Sequence, residues 1–264
     1  MNKIATSNQL GSNGRLGNMM FQIAATIGYA DKHGGQAIFP SLICDHPLAK
    51  KDYSPYFQNQ LTLGNMPSGI TAIQYQEPNF HYDEIPEYEY VDLHGYFQSE
   101  KYFEHCKEKI QHAFEPSHKL VEKLIKKYRD IIRLGTCGIH VRRGDYVNNG
   151  FHHQLGMDYY NRSIDYMKEK ADTFVVFSDD ISWCRQYFPT SCIFIEGNED
   201  IEDLFLMSFM QHQIIANSSF SWWASYLCGL NTVLFHTVIA PKCWVAKTIF
   251  LETKDLYTCN MIKL

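Results

Sequence analysis

Residues 136 to 146 spell TCGIHVRRGDY, an apolar run that ends in two arginines and a Gly-Asp turn. Runs of this kind are typical of strands buried on both faces of a parallel sheet. Four more apolar runs follow, at 173–177 (TFVVF), 192–196 (CIFIE), 213–217 (QIIAN) and 232–235 (TVLF). Between the runs, apolar residues recur at helical spacing, and the last such segment, SFSWWASYLCG, reaches Gly229, where a helix would stop. This alternation predicts a doubly wound α/β domain.

The first half of the chain begins in the same way. Its predicted elements are a strand near Ile4, a helix from about 16 to 30, a strand at 36–39 (QAIF), a strand with its exit loop at 90–98 (YVDLHGYFQ) and a closing helix over 120–132. The region up to about residue 90 has no assignable pattern. We therefore predict two Rossmann-type domains, residues 1–134 and 135–264, that face a shared cleft, with the last residues free to pack back on the first domain.

Composition excludes several classes of protein. The 264 residues include 24 Lys and Arg against 29 Asp and Glu, a net charge of −5, so the broad positive surface of a nucleic-acid-binding protein is missing. An anionic ligand must then be held by local cations and helix ends. Residues 204–241 carry no charge, but Gln, His, Asn and Ser interrupt them, which predicts a buried interior segment rather than a membrane span.

The eight cysteines form no C-x-x-C pair, which argues against a zinc ribbon and against a disulfide framework. No apolar stretch of signal-peptide length opens the sequence. We expect a cytoplasmic protein without a transmembrane segment, and peripheral attachment at the inner face of the membrane stays open. The sequence gives no indication of oligomeric state.

The segment HVRRGDY is the richest candidate site. Alternate side chains of a strand share a face, so His140 and Arg142 point together and Arg143 points the other way. A guanidinium at a sheet edge suits bidentate binding of a phosphate or diphosphate. The alternative is that both arginines form ion pairs with carboxylates such as Asp145.

The segment NSSFSWW, residues 217 to 223, follows another predicted strand. Serines at a helix start cap the free N–H groups, and those groups attract anions. Capping alone would explain Ser218 or Ser219. Trp222 and Trp223 fit a core as well as they fit a stacking platform.

The segment FSDD, residues 177 to 180, leaves a third strand. A carboxylate there can accept hydrogen bonds from the edge of a guanine or from ribose hydroxyls. Asp179 or Asp180 can equally cap the helix that follows.

The segment GSNGRLGNMMFQ, residues 11 to 22, suggests a dinucleotide fold, but its spacing is G-x-x-G-x-x-G. The acidic ribose ligand expected about 20 residues later is also missing, since Pro40 and Ser41 follow QAIF. Arg15 and Asn18 instead offer polar groups to the cleft. The sequence has no G-x-x-x-x-G-K-[ST], H-E-x-x-H, G-x-S-x-G or D-x-D motif, and we predict no required metal and no cofactor.

Taken in order, GRLGNMMFQ, HVRRGDY, FSDD and NSSFSWWASYL resemble the bacterial-type α-1,2-fucosyltransferases of glycosyltransferase family 11. The resemblance implies a GT-B-like pair of domains, GDP-fucose as donor substrate, a terminal β-galactoside as acceptor, inversion at the anomeric carbon and no metal. The first motif departs from the usual GGLGNQM, because Arg15 and Met19 replace a glycine and a glutamine.

The resemblance also implies residue roles. Arg142 clamps the β-phosphate and stabilises it as it departs, with His140 beside it. The other expected donor contacts are Asp179 or Asp180 at the guanine, with Ser178 in the same motif; Asn217, Ser218, Ser219, Phe220 and Ser221 around the diphosphate; and Arg15 and Asn18 near the fucose. Arg143 and Asp145 shape the turn of their motif.

The catalytic base stays open at this stage. Removing the proton of the attacking hydroxyl is easier with a carboxylate or imidazole within hydrogen-bond reach. The candidates are Asp145, by membership of its motif, and Glu87, Glu89, Asp92 and His94, by their position at a strand exit. A mechanism without a base is an equal alternative. Two rival functions are a dinucleotide-dependent oxidoreductase and a non-catalytic glycan-binding protein that stacks sugars on tryptophans.

Overall fold

The computed structural model describes residues 3–47, 49–59, 61–147, 149–231 and 235–264. The chain forms two compact units. The first contains the chain up to His118 together with Glu252–Thr258, and the second contains Lys119–Leu251 together with Cys259–Leu264. The division therefore falls earlier than the predicted junction near residue 134.

The first unit is built on a parallel sheet of four short strands. In chain order its elements are β1 (Ile4–Thr6), α1 (Leu16–Lys32), β2 (Gln36–Ala37), β3 (Ile43–His46), β4 (Ala49–Asp52), β5 (Ile73–Gln76), β6 (Tyr90–His94) and α2 (Lys107–Ala113). The strand order is β2-β1-β6-β5, and each pairing is parallel. The carboxyl ends of β1 and β6 therefore lie next to each other at one edge of the sheet.

Helix α1 confirms the helix predicted from about residue 16 to 30. Most of its apolar side chains are buried, and those of Met20 and Phe21 are fully buried. Gly28 is required by a close approach, because a Cβ at this position would lie 2.1 Å from the backbone oxygen of Tyr102. The helix thus packs directly on the chain that follows β6.

The region without an assignable pattern contains the antiparallel hairpin of β3 and β4 and the edge strand β5. Strand β5 has the sequence IQYQ, and three of its four residues are exposed. Periodicity could not predict β5, because an edge strand with little burial does not need alternating apolar residues.

The second unit is built on a parallel sheet of six strands. In chain order its elements are α3 (His118–Tyr128), β7 (Thr136–Val141), α4 (Met157–Met167), β8 (Thr173–Ser178), α5 (Ile181–Tyr187), β9 (Ile193–Phe194), α6 (Asp200–Ser208), β10 (His212–Ile214), α7 (Ser219–Asn231), β11 (Val238–Ala240) and β12 (Met261–Lys263). The order is β12-β11-β10-β7-β8-β9, with every pairing parallel. All six residues of β7 are buried, as its apolar sequence predicts.

Helix α3 belongs to the second unit rather than closing the first. Leu120 and Leu124 are its buried residues. Lys123 forms an ion pair with Glu202 of α6, and the Tyr128 hydroxyl donates a hydrogen bond of 2.8 Å to Asn198. These contacts explain why the division falls at the first residue of α3.

Near the carboxyl end, one predicted strand falls largely outside the described residues and one predicted helix boundary was wrong. Residues 232–234 of the strand predicted at 232–235 lie outside the described residues. The strand that follows α7 and pairs in parallel with β10 is β11, at Val238–Ala240. Helix α7 also continues past Gly229 to Asn231. A Cβ at Gly229 would lie 3.1 Å from Nε2 of His236, so the glycine serves a close approach and does not end the helix.

The uncharged segment is part of the interior of the second unit. Trp222 and Trp223 of α7 are fully buried, as are most residues of α6 and β10. Among the described residues, no helix combines the length and the apolar character that crossing a membrane requires.

Candidate active site

Three of the four motifs leave neighbouring strands of the second sheet. Strand β7 lies between β10 and β8. Val141 pairs in register with Ser178, so HVRRGDY and FSDD leave the sheet side by side. The segment NSSFSWW begins shortly after β10, on the other side of β7. This is the edge at which open α/β sheets bind ligands.

The guanidinium of Arg142 is held between two carboxylates. Its Nη1 lies 2.7 Å from Oδ2 of Asp179, and its Nη2 forms an ion pair with Oδ1 of Asp145. The side chain is only 13% exposed and lies over the ring of Tyr146, 5.3 Å from the ring centre. Arg142 is therefore fixed in position, as a phosphate clamp requires.

Asp179 connects the two arginines. Its Oδ1 accepts a hydrogen bond of 2.9 Å from the backbone N–H of Arg143, while its Oδ2 contacts Arg142. Gly144 is required beside it, because a Cβ there would lie 2.5 Å from the same Oδ2. The Gly-Asp turn after the two arginines thus makes room for a carboxylate that comes from another strand.

Arg143 has different partners from Arg142, in agreement with the predicted alternation. Its Nε lies 3.1 Å from Oδ2 of Asp180, and its guanidinium lies 4.1 Å from the ring centre of Trp183. An arginine that is both ion-paired and stacked on an indole is held by two favourable contacts. These contacts support the predicted structural role of Arg143.

Arg142, Arg143, Asp145, Asp179 and Asp180 form a group that we call the arginine–aspartate cluster. Its formal charge is 2 − 3 = −1. The predicted alternative, arginines paired with carboxylates, therefore describes the structure. A diphosphate that binds to Arg142 has to compete with two aspartates for the same guanidinium.

His140 is an uncharged member of this edge. It is buried, its ring centre lies 5.1 Å from that of Phe220, and within the described residues its Nδ1 has no hydrogen-bond partner. Burial lowers the pKa of His140 to about 4, although the nearby carboxylate of Asp179 opposes this shift. At neutral pH His140 can offer a hydrogen bond but no charge.

The start of helix α7 lies at the same edge. Ser218 and Ser221 are buried, whereas Ser219 and Phe220 are half-buried. The Ser221 hydroxyl is 3.3 Å from the backbone oxygens of both Ala216 and Ser218, so it stabilises the turn. In a helix of 13 residues, the first N–H groups and the helix dipole favour an anion at this end.

Asn217 has a structural role in this arrangement. Its amide donates hydrogen bonds of 2.9 Å and 2.7 Å to the backbone oxygens of His153 and Trp244. Its own carbonyl accepts a hydrogen bond of 3.1 Å from the hydroxyl of Tyr146. The side chain therefore joins two loops.

The segment FSDD divides its roles between its two aspartates. Asp180 caps α5 by accepting a hydrogen bond of 3.1 Å from the backbone N–H of Trp183. The Ser178 hydroxyl accepts one of 2.9 Å from the backbone N–H of Asp180. The predicted capping role is confirmed for Asp180, and Asp179 belongs to the site of Arg142.

Arg15 and Asn18 belong to the first unit, where they lie at the start of α1. Oδ1 of Asn18 accepts a hydrogen bond of 2.9 Å from Gln98, in the loop after β6. A Cβ at Gly14 would lie 2.1 Å from Nδ2 of Asn18, which explains that glycine, whose φ is +91°. The first motif is therefore tied to the exit of β6.

The candidate bases differ sharply in their surroundings. Asp145 is paired with Arg142, and Glu87 forms an ion pair with Lys3 while remaining 58% exposed. Glu89 is exposed. Asp92 and His94, two residues apart on β6, are both buried and form a pair with 2.8 Å between Oδ2 and Nε2. The sequence named both but gave no reason to pair them; their D-x-H spacing at a strand end is the signal that could have done so.

Tyr146, Trp183 and Glu77 are further residues that the sequence interpretation missed. Burial raises the pKa of Glu77 to about 7, although its carboxylate accepts hydrogen bonds from the backbone N–H groups of Tyr96 and Phe97. Phe97 has a φ of +50°, which is unusual for a residue other than glycine. Glu77 thus holds the loop that carries Gln98.

The comparisons with known proteins agree on one family. The model of Glycosyl transferase family 11 matches residues 1–263. An alpha-1,2-colitosyltransferase of Escherichia coli is 40% identical over 167 residues, which is 58% of this chain and 56% of that protein. A galactoside alpha-(1,2)-fucosyltransferase 2 of Hylobates lar is 30% identical over 251 residues, covering 86% of this chain and 71% of that protein. The chain thus spans little more than half the length of the E. coli relative.

Solved structures match in fold. Fucosyltransferase NodZ from Bradyrhizobium matches with a TM-score of 0.57 and 11% identity, over 85% of this chain and 93% of that one. A crystal of NodZ alpha-1,6-fucosyltransferase soaked with GDP-fucose matches with a TM-score of 0.55, 12% identity, and coverage of 86% and 93%. At such low identity the likeness shows an α/β fold with parallel sheets.

Proposed function

We propose that this chain, which belongs to glycosyl transferase family 11, transfers L-fucose from GDP-fucose to the 2-hydroxyl of a terminal β-galactose. The transfer inverts the anomeric carbon, gives an α-1,2 linkage and needs no metal ion. The observation that carries this proposal is the position of Arg142, fixed at the carboxyl ends of parallel strands beside the start of α7. The donor is supported by NodZ, whose crystal was soaked with GDP-fucose, and the acceptor by relatives named galactoside alpha-(1,2)-fucosyltransferases.

Arg142 acts on the leaving group. Cleavage of the bond between C1 of fucose and the diphosphate places negative charge on the β-phosphate, and a fixed guanidinium stabilises that charge. Nη1 and Nη2, which now face Asp179 and Asp145, are the donors that turn to the phosphate oxygens. The guanidinium takes the role that a metal ion has in D-x-D enzymes.

The remaining donor contacts follow from the same edge. The first N–H groups of α7, at Ser219 to Ser221, bind the diphosphate, and His140 offers a neutral hydrogen bond beside it. Asp179 or Asp180 accepts from the guanine edge through lone pairs that its present contacts leave available. For Arg15 and Asn18, the role at the fucose and the acceptor rests on the family resemblance alone.

The architecture and location predicted from the sequence belong to the same proposal. We infer a GT-B-like pair of doubly wound domains and a cytoplasmic protein, and the question of peripheral attachment to the membrane stays open. A crystal structure with GDP and an acceptor sugar tests the first point, and cell fractionation tests the second.

One incubation tests the reaction. The protein is mixed with GDP-fucose and lactose in the presence of EDTA, and products are separated by chromatography. A fucosylated trisaccharide whose linkage is α-1,2 by NMR is the expected result. The proposal fails if GDP release stays at background with every β-galactoside tried, and the metal-independent part fails if EDTA alone stops the reaction.

A second candidate is transfer of colitose, the 3-deoxy analogue of L-fucose. The E. coli relative, 40% identical over its aligned part, is named an alpha-1,2-colitosyltransferase. Competition between GDP-fucose and GDP-colitose with one acceptor separates the two functions. A kcat/KM that is higher for GDP-colitose would replace fucose by colitose in the proposal.

A further inference from the structure

Three side chains of different kinds meet in the first unit. The ligand atoms of Asp31, His105 and Cys106 all lie within 4.8 Å of one another. Asp31 belongs to the last turn of α1, and the other two residues end the Glu104–Cys106 turn that leads into α2. A carboxylate, an imidazole and a thiolate are the three kinds of side chain that bind Zn²⁺ in proteins.

The backbones that carry these side chains are fixed against each other. A Cβ at Gly28 of α1 would lie 2.1 Å from the backbone oxygen of Tyr102 and 3.0 Å from Cα of Phe103. The backbone N–H of Cys106 donates a hydrogen bond of 3.1 Å to the backbone oxygen of Phe103, which closes the turn. The three side chains are therefore close together before any ion binds, and this lowers the entropic cost of binding.

The distance between imidazole and carboxylate suits a tetrahedral ion. Nε2 of His105 lies 3.6 Å from Oδ2 of Asp31. Zn–N and Zn–O bonds of roughly 2.0 to 2.2 Å at a tetrahedral angle place the two ligand atoms about 3.4 Å apart. Nε2 also lies 3.1 Å from the backbone oxygen of Gly28, to which it donates a hydrogen bond. A neutral imidazole can move this hydrogen to Nδ1, and Nε2 then offers its lone pair to a metal.

The surroundings of Asp31 attract a cation. The carboxyl end of a helix carries the negative end of its dipole, and Asp31 adds a full charge there. The ammonium group of Lys109 already forms an ion pair with Oδ1 of Asp31. The side chain of Lys109 is 63% exposed, so water can solvate its ammonium group when an ion of higher charge takes this place.

We propose that Asp31, His105 and Cys106 bind a zinc ion, with a water molecule as the fourth ligand. Nitrogen and sulfur ligands favour Zn²⁺ over Mg²⁺ and Ca²⁺, which prefer oxygen. On binding, the sulfur of Cys106 releases its proton to solvent, and Lys109 leaves Asp31. The imidazole is exposed and the sulfur is buried, so the ion reaches the thiolate from the side of His105.

The zinc ion acts on the stability of the first unit and takes no part in sugar transfer. All three ligands belong to the first unit, whereas the arginine–aspartate cluster belongs to the second. An ion that joins the end of α1 to the turn before α2 binds the folded chain and so opposes unfolding. Zinc binding is thus independent of the proposed function, and each can fail without the other.

Cobalt(II) is the probe for the test, because its spectrum reports the ligands and the geometry. The full chain is reduced, treated with EDTA, desalted and titrated with Co²⁺. A bond from thiolate to Co²⁺ gives a charge-transfer band in the near ultraviolet, and tetrahedral coordination gives strong visible bands. We expect an equimolar amount of Co²⁺ to produce both and Zn²⁺ to remove them. Zinc should also raise the midpoint of thermal unfolding.

Variants identify the ligands. Cys106→Ser should abolish the charge-transfer band. His105→Ala should weaken zinc binding, measured by competition with a chromogenic chelator, by more than the roughly 10- to 100-fold of an outer-shell change. Cys44→Ser is the matched control, since Cys44 is another buried cysteine of the same unit and lies outside the three ligands; it should keep the band and the affinity.

Lys109→Ala tests the competition at Asp31 without removing a ligand. We expect zinc to bind more tightly by a factor of up to about five, the range for loss of an exposed ion pair. This substitution changes one exposed side chain, so the result does not depend on whether Cys106→Ser folds. Unfolding midpoints in EDTA identify any variant that fails to fold.

Each outcome supports or overturns the assignment. A wild-type chain that shows no thiolate band with Co²⁺ overturns it. A band that survives in Cys106→Ser comes from another thiol and overturns it too, as does full zinc affinity in His105→Ala. Unchanged or weaker zinc binding in Lys109→Ala would remove Asp31 from the ligands and with it the site.

Discussion

Replacement of Arg142 by alanine is the sharpest test of the donor site. Arg142 contributes one of the two positive charges of the arginine–aspartate cluster, so Arg142→Ala changes the formal charge of the cluster from −1 to 1 − 3 = −2. The two aspartates that faced the guanidinium then face the diphosphate. The variant therefore loses the attraction between the guanidinium and the diphosphate, and the two carboxylates then repel the diphosphate.

The magnitude follows from the role of the charge. Removing one positioned donor from a developing negative charge costs about 2.7 to 4 kcal/mol, or on the order of 10² to 10³ in rate. Because Asp145 and Asp179 add repulsion, we expect the loss of kcat/KM in Arg142→Ala to lie at the upper end of this range, about 10³-fold. Arg142→Lys should recover only part of this, because one ammonium cannot replace contacts made separately by Nη1 and Nη2.

The assay measures initial rates of GDP release over a range of GDP-fucose, together with the Kd of GDP by calorimetry. The matched control is Arg185→Ala: Arg185 is also ion-paired, with Glu196, and lies 4.9 Å from the ring centre of Phe194, but it is outside the cluster. The side chains of Asp145 and Asp179 are 41% and 27% exposed, so water can solvate them in Arg142→Ala and the fold should survive. Near-normal kcat/KM in a folded Arg142→Ala would refute the reasoning.

Three further predictions concern the same unit. Gly144→Ala should weaken GDP binding and lower kcat, because its Cβ would push Asp179 away from its contacts; unchanged GDP affinity by calorimetry would contradict this. Burial lowers the pKa of His140 to about 4, so the folded state takes up fewer protons than the unfolded state between about pH 4 and 6.5. His140 therefore contributes stability that is present above that range and is lost as the pH falls, and His140→Phe should unfold with a weaker dependence on pH there; an equal dependence in denaturant titrations would contradict this. Trp222→Ala should lower the free energy of unfolding by about 3 to 5 kcal/mol, because Trp222 is fully buried; lost sugar binding at unchanged stability would instead support a stacking platform.

The sequence predicted the second unit well because burial decides its pattern. Strand β7 is buried along its whole length, and its end at Val141 matches the prediction. Its neighbours β8 and β10 carry the motifs to one edge, so the topology alone was enough to bring His140, Arg142 and Ser218 together. A strand that is buried on both faces has a continuous apolar sequence, so it can be predicted from the sequence alone.

The contacts between different motifs could not be predicted from the sequence. It suggested that Arg142 pairs with Asp145, three residues away, but Asp179 comes from another strand and only the register of β7 and β8 brings it within reach. The same holds for Asn8, which holds Asp92 across 84 residues. Strand β5 was missed because it is exposed. The hydrogen bond between the amide of Gln74, on this strand, and the ring of His94 was missed with it.

The path of the chain between the two units limits how they can be exchanged. After Leu251 the chain enters the first unit for seven residues, Glu252–Thr258, and then returns to supply β12 at the edge of the second sheet. A chimera that joins this second unit to the first unit of a relative at one breakpoint would carry a foreign segment and leave Asp255 without its partner Lys101. Exchange of the whole first unit therefore needs three junctions, after His118, Leu251 and Thr258.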